Sequence, residues 1–368
     1  MLSGFVRVVA FDELTDIKYF TMKLQKMLGF IALFAGMCFQ VQAQDFSDFQ
    51  QVAKSDINII LHQHLSDVCY MDIVKLAGPP KAVQGKKPCE FLDSLKDNQL
   101  KFYSYVFIPK KVKQGKKYPM LVFPHGGIHG TFGISYIHIV REMVAQGYIV
   151  VAPDYRGSTG YSKSFYRSID YGGLENEDVL AARDYMVENY SIVDGERVGI
   201  MGWSHGGMIT LMNILRYPEK YKVGFAGVPV SDVAYRLSYQ DPEYVDNFTP
   251  KYHVGATPAE KPEEYARRSP VTYAANLQRP LLITTCLNDD DVSHTEVQRM
   301  IDALKAHNKD FEYKVYPKMP GAHHFDRIDT KEACQIRYKT WKFLEQHLDP
   351  PFKFKSYTDM RKAGFRYY

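Results

Sequence analysis

The sequence predicts an α/β fold in which a mostly parallel central sheet carries helices on both faces. Strand-like and helix-like stretches alternate from about residue 119 to 347, the pattern of parallel strands joined by helical crossovers. Several strand candidates, among them Pro119–Pro124 and Tyr148–Pro153, are nearly continuous apolar runs, as expected of strands covered on both faces. A serine flanked by glycines, in Gly202-Trp203-Ser204-His205-Gly206-Gly207, stands where a β-prone run gives way to a helical one. The composition agrees: 368 residues, 45% hydrophobic and 24% charged, supply one large core or a core with a small appendage.

Taken in order, the chain opens on a targeting pattern. Lys23 and Lys26 precede the apolar run Met27–Cys38, and Val41-Gln42-Ala43 offers a cleavage site before Gln44. Together they read as a secretory signal peptide. The run is short and a processing site follows, so no stable membrane span is expected after cleavage. Met22 is a better start than Met1, so residues 1–43 are read as an over-extended start plus signal peptide. The mature protein is then periplasmic or secreted. Export permits disulfides, with Cys69–Cys89 and Cys286–Cys334 as candidate pairs. Residues 45–98 are read as a small N-terminal extension packed on the main domain, helical near Ser55–Leu65 and broken at Gly78-Pro79-Pro80.

The main domain is expected over 99–348. Strands are read at 102–108, 119–124, 148–153, 198–201, 222–230, 280–285 and 311–316. Helices are read at 134–144, 175–188, 208–215, 295–307 and 331–347, with Val179, Leu180 and Met186 on the inner side of the second. Residues 233–270 interrupt the alternation with six aromatics, from Tyr235 to Tyr265. A solvated connector would carry fewer, so this stretch is expected to be a short helical insertion roofing the active site. The tail, 349–368, is basic and aromatic and is expected to wrap the domain surface.

Composition also excludes. The net charge of +4 is modest and the basic residues are scattered, so nucleic-acid binding has no footprint. Five cysteines without a CxxC spacing argue against zinc, and the adjacent His323-His324 lacks a supporting acid or Cys cluster. Neither a metal nor another cofactor is expected.

The chemistry centres on Ser204. A serine with glycine two places to each side, between strand and helix, is the G-x-S-x-G nucleophile elbow. The tight turn lifts the hydroxyl clear of the sheet and leaves the His205 amide facing a bound oxyanion. Such a serine needs a base and an orienting carboxylate, each on a loop after a later strand. Asn288-Asp289-Asp290-Asp291-Val292 follows one strand and Gly321-Ala322-His323-His324-Phe325 another. Asp289 is the expected orienter, with Asp291 as the fallback acid, and the remaining acids are expected to cap the following helix. His323 is the expected base. A second oxyanion donor is sought in His125-Gly126-Gly127, which follows an early buried strand.

These blocks, with Pro153-Asp154-Tyr155-Arg156-Gly157-Ser158 and Asp170-Tyr171-Gly172-Gly173, resemble the catalytic domain of the prolyl oligopeptidase family of serine peptidases. The resemblance covers roughly residues 100–348 and implies the α/β-hydrolase fold. Family members with dipeptidyl or post-proline activity usually carry a large N-terminal propeller, and none fits into 45–98. Some members present a tyrosine hydroxyl to the oxyanion where this chain has His125. The resemblance implies hydrolysis of small peptides through an acyl-enzyme. The alternatives are a carboxylesterase acting on acyl esters, including acylated carbohydrates, and a catalytically inactive binding domain that kept the fold. Oligomeric state is left open.

Overall fold

The computed structural model describes residues 53–79, 100–113, 115–248 and 253–365, with the backbone alone at 247 and 248. The signal-peptide reading, Cys89 and the last residues of the tail lie outside them. Among the described residues no helix is long and apolar enough to cross a membrane.

Eight strands form one sheet: β1 (Cys69–Ala77), β2 (Lys101–Pro109), β3 (Tyr118–Val122), β4 (Ile149–Asp154), β5 (Val193–Trp203), β6 (Val223–Gly227), β7 (Leu281–Cys286) and β8 (Glu312–Tyr316). They lie side by side in the order β1-β2-β4-β3-β5-β6-β7-β8. The pairs β1–β2 and β2–β4 are antiparallel, and every other pair is parallel. The helices are α1 (53–65), α2 (Ile137–Gln146), α3 (Lys163–Tyr166), α4 (Leu174–Asn189), α5 (His205–Arg216), α6 (Val233–Tyr239), α7 (Pro242–Phe248), α8 (Pro262–Arg267), α9 (His294–Ala306), α10 (Lys331–Leu348) and α11 (Tyr357–Gly364).

The apolar runs have a simple cause. Side chains alternate between the faces of a strand, and here both faces are covered. Leu121 and Phe123 pack with residues of α2 and α10, while Met120 and Val122 pack with residues of α4. α4 turns Val179, Ala182 and Met186 inward, and Leu180 is only partly covered. Helix ends follow local chemistry. Gly147 closes α2 at φ 90°, and the Thr330 hydroxyl accepts the Ala333 amide at 3.1 Å to start α10.

Several expectations are corrected. Within the stretch read as a small extension packed on the main domain, β1 pairs with β2 along its whole length and so joins the sheet. An edge strand is covered on fewer sides, so it lacks the apolar run that marks the inner ones. The tail does more than wrap the surface, since α11 buries Met360 in the core shared by α2 and α10. Cys286 and Cys334 are buried free thiols, so that expected disulfide does not form. Their sulfurs face different neighbours: Cys286 the Ala322 carbonyl, Cys334 the Arg337 guanidinium. Cys69 is likewise a free, buried thiol. The interval 233–270 holds the short helices α6, α7 and α8.

Candidate active site

The sharpest local feature lies between β5 and α5. Ser204 holds φ 59° and ψ −122°, a conformation that costs a non-glycine residue on the order of 1–3 kcal/mol. Its neighbours explain the glycines. A Cβ at Gly202 would collide with the Gly206 backbone, and one at Gly206 with the Pro124 carbonyl. The Ser204 amide donates to the Gly227 carbonyl at 3.0 Å, pinning the turn to β6. His205 opens α5, where the first amides have no partner within the helix.

Each of the three consecutive acids after β7 has its own partner. Asp289 lies with both carboxylate oxygens on His323, 2.8 and 2.9 Å from Nδ1. Its Oδ1 also accepts the Val292 amide at 2.8 Å, which fixes the carboxylate before the imidazole reaches it. Asp290 accepts the His323 backbone amide at 3.3 Å. Asp291 pairs with Arg236 of α6 at 2.5 Å, and its other oxygen stands 3.7 Å from His323 Nε2. The expectation that the spare acids cap the next helix is corrected, since Ser293 caps α9. His323 is buried in a short turn after β8, which Gly321 enters at φ 84°. Ser204 and His323 make no hydrogen bond with each other among the described residues; apo active-site contacts of this kind are often open.

The glycine loop after β3 lies against the serine. A Cβ at Gly126 would stand 3.6 Å from Ser204 Cβ. The Gly126 amide donates to the Tyr136 hydroxyl at 3.0 Å, so it is occupied. The Gly127 amide has no hydrogen-bond partner among the described residues, and Gly127 borders the cavity in front of Ser204. The His125 imidazole is turned away from that cavity. It stacks on Tyr155 at 4.3 Å, and its Nε2 lies 2.8 Å from the Ser158 hydroxyl. Burial pushes its pKa down to about 4, so the ring is neutral at pH 7.

The cavity measures about 300 Å³ and is walled by Gly127, Tyr166, Tyr171, Arg236, Tyr244 and His253, among others, beside Ser204. Arg236 and Tyr244 come from the helices of the 233–270 interval, and Arg236 Nε donates to the Tyr244 hydroxyl at 2.7 Å. His205 also lines the cavity, and its buried ring lies 3.4 Å from Glu175 and stacks on Tyr171. Burial would raise the Glu175 pKa, but His205 and the Gly172 amide outweigh it and hold it at about 2. Sequence reading missed Arg236, His129, Tyr166 and His253 on this wall. No motif surrounds them, and only the packing of distant segments brings them to Ser204. Among the described residues no cluster of His, Cys, Asp or Glu could hold a metal ion.

The chain is 29% identical over 245 residues to an uncharacterized peptidase, YuxL, of Bacillus subtilis, covering 65% of this chain and 36% of that protein. It is 29% identical over 254 residues to the acylamino-acid-releasing enzyme of Rattus norvegicus, covering 68% of this chain and 34% of that one. The chain thus spans about a third of the length of these curated relatives. Among solved structures it resembles an acylaminoacyl peptidase bound to Z-Gly-Gly-Phe-chloromethyl ketone, with TM-score 0.63 and 23% identity over 80% of this chain and 44% of that one. A puromycin-hydrolyzing peptidase of Mycobacterium tuberculosis gives TM-score 0.63 and 23% identity, over 76% of this chain and 39% of the other. At these identities the structural likeness is one of fold. The profile of the prolyl oligopeptidase family matches residues 134–350, more than half of the chain, and the chain belongs to that family.

Proposed function

We propose that the protein is an exported serine peptidase that hydrolyses small peptides through an acyl-enzyme, with Ser204 as nucleophile, His323 as general base and Asp289 as its orienter. One observation carries the reading: a strained elbow serine after β5 and a buried Asp289–His323 pair from the loops after β7 and β8 follow strands of one parallel sheet. His323 takes the Ser204 proton as the Ser204 oxygen bonds to the substrate carbonyl carbon. The same proton passes to the leaving amine as the C–N bond breaks. Water then attacks the acyl-enzyme, giving its proton to His323, and Ser204 recovers a proton as the acid product leaves. Asp289 holds the Nδ1–H tautomer and stabilises the imidazolium formed in each half. The His205 and Gly127 amides are the donors proposed for the developing oxyanion, worth about 3–4 kcal/mol each in comparable sites. Gly127 replaces the expected donors Gly126 and the His125 ring, which are engaged elsewhere.

The test is a paired rate comparison on the chain from residue 45 onward. One panel holds dipeptidyl and N-acylated aminoacyl amides, the other acetyl, butyryl and feruloyl esters, with Ser204→Ala as the blank. The proposal expects Ser204-dependent amide turnover and labelling of Ser204 by a fluorophosphonate. Ester turnover with amides at the Ser204→Ala background would replace the peptidase by an esterase. Silence on both panels, without labelling, would leave a non-catalytic domain.

A further inference from the structure

The loop that reaches Ser204 is held from behind by a part of the chain outside the matched family region. Asp154, at the end of β4, is fully buried. Its carboxylate accepts the Phe132 amide at 2.6 Å, the Tyr161 hydroxyl at 2.6 Å and the Thr131 hydroxyl at 3.2 Å. His125 Nε2 lies 3.5 Å away. All of these groups are neutral at pH 7. The one cation that the described residues bring to this carboxylate is Lys54 of α1, its Nζ 2.6 Å from Asp154 Oδ2. The same ammonium donates to the Thr131 hydroxyl at 2.6 Å and the Phe132 carbonyl at 3.0 Å. Lys54 therefore binds the buried carboxylate and the loop at once. Thr131 and Phe132 end the loop that begins at His125, in which Gly126 lies against Ser204 and Gly127 borders the same cavity.

We propose that Lys54 is a positioning residue for this loop. Acting through Asp154, Thr131 and Phe132, it keeps residues 125–132 where the Gly127 amide can meet an oxyanion formed at Ser204. The proposal rests on the reading of Ser204 as nucleophile and adds that α1 belongs to the catalytic apparatus. The physical case is charge compensation. A buried carboxylate left with neutral donors alone is strongly disfavoured. It would draw a proton or water, and either would release Thr131 and Phe132 from their places. An oxyanion donor acts in the transition state, so misplacing it lowers kcat more than it changes KM.

The experiment compares Lys54→Met, Lys54→Arg, Asp154→Asn and the double variant Lys54→Met/Asp154→Asn with the parent, using the best substrate of the two panels. Lys54→Met is expected to lose about 10²-fold in kcat, the scale of a misplaced catalytic group, with KM within about twofold. Lys54→Arg should restore most of the rate. The double variant should be no slower than the slower single one, because both act through one network. Should Lys54→Met fail to fold, Thr131→Val removes the hydroxyl that joins the loop to both the ammonium and Asp154, leaves the ammonium on the Phe132 carbonyl, and should show the same kcat-selective loss, smaller in size. Unchanged kcat in Lys54→Met or in Thr131→Val would overturn the proposal, as would a loss confined to KM or additive losses in the double variant. If the parent labels at Ser204 while Lys54→Met keeps its rate, only the Lys54 proposal falls. If the parent shows neither labelling nor Ser204-dependent turnover, the nucleophile reading falls and takes this one with it.

Discussion

Around His323, three adjacent carboxylates share one imidazole and its backbone, and their geometry separates their roles. Asp289 touches Nδ1 with both oxygens, whereas Asp291 faces Nε2 at 3.7 Å and is already paired with Arg236. An orienter must fix the Nδ1–H tautomer. Asp289→Asn should therefore lower kcat on the order of 10⁴-fold while the protein stays folded. Asp291→Asn leaves the Nδ1 contact intact and should cost less than about tenfold. Equal losses in the two variants, measured under saturating substrate, would contradict this assignment. The placement of Ser204 on a strand-to-helix turn, and of Asp289 and His323 on loops after later strands, was legible in the sequence because each sits in a short motif whose chain order the fold dictates. The cavity wall was not. Arg236 looks in sequence like an ordinary charge on a short helix, and nothing local announces that Asp291 and Glu296, from another loop and helix, surround it.

Between helices, a buried ionic knot joins α2 to α10. Arg337 Nη2 lies 2.9 Å from Glu142 Oε1, Trp341 Nε1 donates to Glu142 Oε2 at 2.8 Å, and both ionic side chains are fully covered. Arg337 also donates to the Asp326 carbonyl at 2.8 Å, tying α10 to the chain just after the His323 turn. Removing one partner of such a pair strands the other. Arg337→Met should destabilise the protein by about 3–5 kcal/mol, read as a lowered melting temperature. A melting temperature within a degree of the parent would show that water or a neighbour compensates Glu142. Helical periodicity gave α2 and α10 their extents to within a few residues. It could not give the knot, because Glu142 lies on α2 where a solvated acid would look the same.

Over the whole molecule, histidines held neutral by desolvation are expected to set an acid limit. His138 is pushed down to about 3 by burial and the nearby Arg337, and His125 to about 4 by burial. An unfolded chain takes up protons at both as pH falls below about 6.5, while the folded one does not until near those lower values. Stability contributed by the neutral rings is thus present above pH 6.5 and lost as pH falls toward 4. His138→Gln should flatten the pH dependence of the unfolding free energy between pH 6 and 4 by up to about 1.4 kcal/mol per pH unit. Denaturant titrations across that range, with parallel slopes for variant and parent, would refute the assignment. The alternation of strands and helices, the covered sheet and the elbow were determined by the sequence alone, because each rests on neighbours a few residues apart and on the two-sided burial that writes apolar runs. Tertiary structure alone decided that β1 completes the sheet, that Arg236 enters the cavity wall, and that Lys54 lies against Asp154. In each case, partners distant along the chain meet through packing, and burial then makes a charge that would be unremarkable in water depend on the partner it has found.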